Sequence, residues 1–211
     1  MTTNNLLEKV KQLREITGVG FKDCKNAIDE TKGDVEKSID LLRKKGIAKA
    51  NKRMSRVASE GLVCISEENN KFSIVEINSE TDFVAKNEEF IKFGEEISKL
   101  ALKNFGNLEK TLKSEMENKK LVNDNLISLI SKIGEKITIR RSAYVGEDKT
   151  INFSYIHTSL KNNVGKLGVL LSLESAKPKD ELLKLGKQLA MHIAASSPLA
   201  IDKENLNQKI L

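Results

Sequence analysis

The sequence predicts an α+β protein, with a three-helix module at the N-terminus followed by two α+β subdomains of antiparallel strands and flanking helices. Apolar residues recur at helical spacing through residues 5–46. Two apolar runs within residues 61–78 are separated by a polar turn, which is typical of a β-hairpin. After Gly134 the apolar period changes from about 3.6 to 2, and a last helical pattern follows from Pro178.

The N-terminal module, residues 1–46, contains three predicted helices. The first two end near Gly18 and Gly33, because glycine readily adopts the left-handed conformation that terminates helices. Asp34 is a suitable N-cap for the third helix, which Gly46 is expected to end. About forty residues bury little apolar area, so such a unit commonly leaves an apolar edge for a neighbour.

Residues 47–59 are predicted to be a linker, partly helical and basic. Its cations are Lys49, Lys52, Arg53 and Arg56. Basic clusters attract phosphate, but no aromatic residues are interleaved to stack on bases. A solvated face is therefore favoured over nucleic-acid binding, and no direct contact with nucleic acid is expected.

The first α+β subdomain is assigned to residues 60–136. Its hairpin leads into a strand-to-helix junction at residues 78–93, and a helix is expected from about Asn87 to Lys103. Helical patterns follow at residues 108–117 and 124–133.

The second subdomain is assigned to residues 137–211. Alternating apolar residues predict strands up to residue 173, and a long helix follows from Pro178 through Ala195. Four aliphatic residues of that helix are expected to face inward: Leu182, Leu185, Leu189 and Ile193. Residues 202–211 could begin a further helix.

Phe83, within the junction, has two interpretations. It lies seven residues before Phe90 and fourteen before Ile97, so one continuous helix would place all three on a buried face, and spacing alone favours this interpretation. Alternatively, the helix starts near Asn87 and Phe83 is an exposed aromatic residue beside Asp82. Short polar side chains in the junction are suitable caps for an incoming helix.

Composition limits the compartment and the class of protein. The 36 basic and 30 acidic residues give a net charge of +6, which allows an acidic partner without requiring one. No apolar run approaches the roughly 20 residues that span a bilayer, and no targeting segment is recognisable, so no membrane association is expected. Cys24 and Cys64 do not suggest a disulfide framework. The cytoplasm is the expected location.

Catalysis by the chain's own groups is not expected. No nucleophile elbow, zinc-binding helix motif or phosphate-binding loop is present, and Asp82 has no evident acid or base partner. His157 and His192 are the only histidines, and neither has neighbours that complete a ligand set. We therefore predict no catalytic residues, no bound metal and no cofactor, and expect the chain not to be an enzyme.

Four ordered motifs resemble the elongation factor Ts family. The most specific is Thr81-Asp82-Phe83-Val84-Ala85-Lys86-Asn87. The resemblance runs from about Leu6 to Asp202. The other three motifs are the segments at residues 17–25 (TGVGFKDCK), 133–141 (IGEKITIRR) and 191–196 (MHIAAS).

The resemblance implies a guanine nucleotide exchange factor for elongation factor Tu in translation. Thr81, Asp82, Phe83 and Val84 map onto the part that displaces nucleotide, with Phe83 inserted so that magnesium and GDP leave. Rebinding of GTP then releases the factor.

Further contacts with the partner are implied for two other regions. The N-terminal module is similar to a ubiquitin-associated fold that rests on the nucleotide domain of the partner, which makes Phe21 and Lys22 contact candidates. His157 and His192 lie in segments that the resemblance places against the third domain of the partner.

The chain resembles the short members of the family, since longer members continue with a helical hairpin insertion and a further C-terminal module. Whether a homodimer replaces those parts is left open. Two rival functions also remain: a basic RNA- or ribosome-associated protein that uses residues 49–56, and a helper that only holds elongation factor Tu in a folded state.

Overall fold

The computed structural model describes residues 3–202 and 204–206. Over those residues the chain forms eight helices and five strands, which confirms the predicted α+β class. The helices are α1 (Thr3–Thr17), α2 (Phe21–Glu30), α3 (Val35–Arg53), α4 (Asp82–Ala85), α5 (Glu88–Lys103), α6 (Leu108–Leu112), α7 (Val122–Ile133) and α8 (Lys179–Ser196). The strands are β1 (Glu60–Glu68), β2 (Lys71–Ser79), β3 (Thr138–Val145), β4 (Thr150–Lys161) and β5 (Val164–Glu174).

The chain divides into two compact units, each assembled from separate segments. Unit 1 comprises Met1–Gly61, Asn78–Ala85 and Leu112–Thr138. Unit 2 comprises Leu62–Ile77, Lys86–Thr111 and Ile139–Leu211. The predicted domain boundaries at residues 46, 59 and 136 stay predictions.

Unit 1 contains the predicted three-helix module. Helices α1, α2 and α3 pack around one cluster of buried residues, comprising Val10, Leu13, Cys24, Ala27, Ile28 and Leu42. Asp34 caps α3 as predicted, because its carboxylate accepts the backbone N–H of Lys37 at 3.0 Å.

Gly46 does not end α3, so that prediction is wrong. The helix continues to Arg53 and includes half of the segment assigned as a linker. A Cβ on Gly46 would lie 2.6 Å from Ser131 Oγ of α7. Glycine at this position therefore serves the close approach of two helices and does not act as a stop signal.

The sheet of unit 2 has the strand order β3-β2-β1-β5-β4, with β5 antiparallel to both β1 and β4. Strands from both predicted subdomains share this sheet. The β1–β2 hairpin turns at Asn69 and Asn70, whose φ values are 49° and 62°. Two consecutive left-handed residues fit the twist of a tight hairpin, and asparagine tolerates that conformation.

Helices α5 and α8 pack on this sheet through glycines. A Cβ on Gly94 of α5 would lie 2.7 Å from Cys64 Sγ, and one on Gly186 of α8 would lie 2.6 Å from the Phe153 ring. The buried stripe of α8 is Leu182, Gly186 and Ala190. Leu185 is exposed, so its predicted inward orientation is wrong. The close approach at Gly186 turns a different face of the helix to the sheet.

Of the two helical patterns predicted between residues 108 and 133, the first is shorter than expected and the second ends where expected. The predicted helix at residues 108–117 ends at Leu112, and a turn follows in which Lys119 has a φ of 60°. Helix α7 ends at Gly134, with a φ of 93°, as the sequence predicted.

Each helix in the described part of the chain is too short or too polar to span a bilayer.

Candidate functional site

The segment after β2 contains two separate helices where spacing alone favoured one. Helix α4 is a single turn, and α5 starts afresh because Asn87 Oδ1 accepts the backbone N–H groups of Glu89 at 2.9 Å and Phe90 at 3.2 Å. Phe90 is fully buried, whereas Phe83 is 80% exposed. The interpretation of Phe83 as an exposed aromatic residue is therefore correct, and its assignment to the buried face of one continuous helix is wrong.

Helix α4 is anchored by the two residues that follow Phe83. Val84 and Ala85 are buried, with Val84 only 7% exposed. Asp82 is partly buried at the start of this helical turn. The side chain of Val84 thus packs within its own chain, and its contact with a partner stays a prediction.

The carboxylate of Glu135 contacts the turn that leads into α4. Its Oε2 accepts the backbone N–H groups of Glu80 at 3.1 Å and Thr81 at 2.9 Å. Its Oε1 accepts the hydroxyl of Thr81 at 2.7 Å. The backbone N–H groups of Glu80 and Thr81 stand where a helical turn begins, and N–H groups at that position have no partner within the helix.

Glu80, in the turn that Glu135 contacts, itself binds the residue that follows Glu135. Its carboxylate accepts the backbone N–H of Lys136 at 2.6 Å and forms an ion pair with Arg56 at 3.2 Å. The Lys136 N–H, and secondarily the Arg56 guanidinium, hold the pKa of Glu80 below its ordinary value. Glu80 and Glu135 thus form a reciprocal pair between the β2–α4 turn and the α7–β3 connection, which we call the carboxylate clamp.

Basic residues connect α3 to the same region. Lys136 Nζ donates to the carbonyl oxygens of Met54 and Arg56, both at 2.8 Å, at the C-terminal end of α3. Arg53 Nη1 donates to the carbonyl of Ile130 at 2.8 Å, near the end of α7. Lys136 thus pairs two carbonyl groups just beyond the last residue of α3, where no further helical N–H follows to bond them. The Ile130 carbonyl has a second donor besides Arg53, the backbone N–H of Gly134 at 3.0 Å.

Three of the four cations in the basic segment therefore contact groups of this chain. Arg53 and Arg56 have the partners described above, and Lys49 forms an ion pair with Asp23 at 2.8 Å. The segment is the last part of α3 and the loop after it, with its cations directed largely at neighbouring elements.

The N-terminal candidates, Phe21 and Lys22, begin α2 in unit 1. Phe21 is 43% exposed although it starts an otherwise amphipathic helix, and Lys22 is also exposed. The next inward-facing residue, Cys24, is fully buried, and burial raises the pKa of its thiol. The helix thus leaves its first two side chains available at the surface.

The histidine candidates both lie in unit 2 and are exposed. His157 is on β4, where its Nδ1 lies 3.0 Å from the hydroxyl of Tyr155. His192 is on α8, a helix that packs against β4. Met191 and Leu185 of α8 are about half exposed, so apolar side chains accompany the imidazole on this helix.

The sequence did not indicate the roles of Glu80, Glu135 and Lys136. Glu135 and Lys136 stand within one of the quoted motifs, which was the only available signal. Their partners in the carboxylate clamp lie 54 to 56 residues earlier in the chain, and the two carbonyl groups that Lys136 Nζ contacts lie 80 and 82 residues earlier. Pattern and spacing report neighbours along an element, and a pairing between two distant turns leaves no periodic trace.

The segment from Glu80 to Ala85 combines a hydrogen-bonded turn with an exposed aromatic ring. Within residues 3–202 and 204–206, no group of three or more His, Cys, Asp or Glu residues is placed to hold a metal ion. The ring of Phe83 is 80% exposed at this turn. Such a feature suits recognition of a partner, since aromatic anchors dominate many protein interfaces.

Comparison with known proteins identifies the family. The sequence profile described as Elongation factor TS matches residues 80–211. Elongation factor Ts of Methylorubrum populi is 46% identical over 203 residues, and that of Parvibaculum lavamentivorans is 44% identical over 203 residues. Each alignment covers 96% of this chain and 66% of the relative. The chain belongs to the elongation factor Ts family, and it spans about two thirds of the length of these relatives.

Proposed function

We propose that this chain is a guanine nucleotide exchange factor for elongation factor Tu, acting in translation elongation in the cytoplasm. The observation that carries the proposal is the 80% exposure of Phe83 within the Thr81–Asn87 motif of a chain from this family. An aromatic ring held in water loses the stabilisation that burial gives, and burial against a partner recovers it.

Exchange follows from a difference in affinity. If the chain binds nucleotide-free elongation factor Tu more tightly than the GDP-bound form, it must weaken GDP binding by the same factor. No covalent step is needed, and the chain requires no cofactor of its own. Binding of GTP reverses the process and releases the factor.

Phe83 supplies part of that difference. Inserting its ring between elements of the partner buries a side chain worth roughly 1.5–3 kcal/mol, which corresponds to about ten- to a hundredfold in affinity. This gain offsets the displacement of the elements that hold magnesium and GDP. Asp82 directs the approach through hydrogen bonds or charge, and Thr81 and Val84 hold the turn from which the ring projects.

Other contacts anchor the factor while the ring acts. Phe21 and Lys22 contact the nucleotide domain of the partner. His157 and His192 contact its third domain, together with the exposed apolar residues of α8. A homodimer is a further arrangement that this proposal leaves open.

The RNA-binding alternative finds less support in the contacts of the basic segment. Three of its four cations already have partners within the chain, so each would exchange one contact for another on binding phosphate. The helper alternative shares the partner and differs only in kinetics, so only a rate measurement separates it from exchange.

The test is stopped-flow release of fluorescent GDP from elongation factor Tu, with unlabelled nucleotide in excess. We expect substoichiometric amounts of the chain to accelerate release, because each molecule is freed when nucleotide rebinds. Tight association without acceleration would support the helper function instead. No acceleration at any concentration would rule out exchange.

A further inference from the structure

The carboxylate of Glu135 holds three donors of one turn at the same time. It accepts two backbone N–H groups and one hydroxyl, at distances between 2.7 and 3.1 Å, from Glu80 and Thr81. Hydrogen bonds to an ionised acceptor are stronger than neutral ones, and two oxygens receiving donors together define direction as well as distance. Phe83 follows this turn by two residues.

The exposed ring of Phe83 does not itself fix its orientation. The ring is 80% exposed, so packing against its own chain does not fix it. Helix α4 has only four residues, too few for helical hydrogen bonds to stabilise it unaided. Contacts on both sides of Phe83 support the backbone conformation that directs it outward. The hydrogen bonds of residues 80–81 lie on one side, where Ser79 Oγ also donates to the Thr81 carbonyl at 2.9 Å, and the buried Val84 and Ala85 lie on the other.

We propose that Glu135 is a positioning residue for nucleotide exchange: its carboxylate fixes the turn before α4, so that Phe83 is presented to the partner in one orientation. This inference rests on the exchange function proposed above. Glu80 supports the same geometry from the opposite side through the backbone N–H of Lys136. Preorganisation of this kind reduces the entropy lost on binding and favours steps that need the ring in place.

Two substitutions of Glu135 test the proposal. In Glu135→Gln the size is kept but one of the two acceptor oxygens becomes an NH₂ group, which cannot accept the donors it faces. In Glu135→Ala all three hydrogen bonds are lost. Glu135 is partly exposed, so neither change leaves a closed cavity. Glu147→Ala is the matched control, because Glu147 is exposed in the turn between β3 and β4.

The first measurement is amide hydrogen exchange of the free chain. We expect the backbone N–H groups of Glu80 and Thr81 to be protected in the wild type and to exchange about tenfold faster or more in Glu135→Ala. Glu135→Gln should be intermediate, and Glu147→Ala should match the wild type. Unchanged protection of both amides in Glu135→Ala would overturn the proposed hold on the turn.

The second measurement is a titration of GDP release, which separates the maximal rate from the factor concentration at half-maximal rate. A positioning role predicts that Glu135→Ala lowers the maximal rate by about tenfold, whereas the half-maximal concentration, set largely by the anchors, changes less than about threefold. A general loss of folded protein would instead raise the concentration needed and leave the maximal rate unchanged.

Each outcome has a distinct meaning. Lost protection together with a lower maximal rate supports the positioning role. Lost protection with an unchanged maximal rate overturns it, since loosening of the turn would then have no effect on GDP release. If the wild type itself does not accelerate GDP release, the exchange function and the positioning role both fail, while amide exchange still decides whether Glu135 holds the turn.

Discussion

Two phenylalanines seven residues apart have opposite environments in this chain. Phe90 is fully buried on α5, whereas Phe83 is 80% exposed on α4. What separates them is Asn87, whose side chain caps α5 and interrupts the helical register. The sequence showed both the spacing and the cap. Deciding between them required the position of the cap oxygen relative to the N–H groups of Glu89 and Phe90.

The lowered pKa of Glu80 predicts how stability depends on pH. The folded-state pKa lies below the unfolded value of about 4.3, so within that interval the unfolded chain binds more protons and stability rises with pH. The contribution of Glu80 is fully present above the unfolded pKa and is lost as the pH falls through the folded pKa.

This dependence can be measured by urea unfolding of wild type and Glu80→Gln between pH 3 and 7. We expect the wild type to be more stable at neutral pH and the difference to shrink below about pH 4.3. Glu147→Gln, at an exposed turn residue, controls for the general effect of removing one carboxylate. A difference that grew as the pH fell would contradict the hydrogen bond and ion pair assigned to Glu80.

At the scale of elements, α5 approaches the sheet closely at Gly94. A methyl group on Gly94 would lie 2.7 Å from Cys64 Sγ and 3.2 Å from a methyl group of Leu62. Both of these residues are buried, and burial raises the pKa of Cys64 to about 12. The helix and the strand therefore leave no room for a larger side chain.

We predict that Gly94→Ala destabilises the protein by about 1–3 kcal/mol, although alanine normally favours a helix over glycine. In a Cys64→Ala background the same change should cost less, because the sulfur atom that the methyl group meets has been removed. Equilibrium unfolding of the wild type, the two single variants and the double variant gives the coupling energy between the two positions. Additive effects would show that Gly94 does not limit the approach of α5.

Element positions were predicted more successfully from the sequence than helix-packing faces. Local signals located the hairpin, the cap at Asn87 and the end of α7 at Gly134. Gly46 was misinterpreted because glycine serves equally as a helix stop and as a point of close helix contact. Only the position of Ser131 on another helix distinguishes these uses.

At the scale of the whole molecule, the net charge of +6 is a small excess over many ions of both signs. The carboxylate clamp and the contacts of α3 show why total charge was a poor guide to function. Cations that look like a phosphate-binding cluster in sequence are bonded to carboxylates and helix ends in the folded chain. These pairings join distant segments, so composition could not indicate them.

We therefore predict only weak, nonspecific binding to single-stranded RNA. Fluorescence anisotropy at 150 mM salt should give a dissociation constant of about 100 µM or weaker, which lies at the weak end of nonspecific binding. Saturable binding near 1 µM that weakens steeply with salt and persists in Phe83→Ala would instead support the RNA-binding alternative.

The exposed ring of Phe83 is the basis of the proposed exchange mechanism, and its removal is the most direct test. GDP release from elongation factor Tu should be compared for wild type, Phe83→Ala and Phe105→Ala, the last being a control because Phe105 is 70% exposed outside the motif. We predict that Phe83→Ala lowers the acceleration by about tenfold or more, with unfolding free energy changed by less than about 0.5 kcal/mol, and that Phe105→Ala acts like the wild type. Full acceleration by a folded Phe83→Ala protein would contradict the insertion of this ring into the partner.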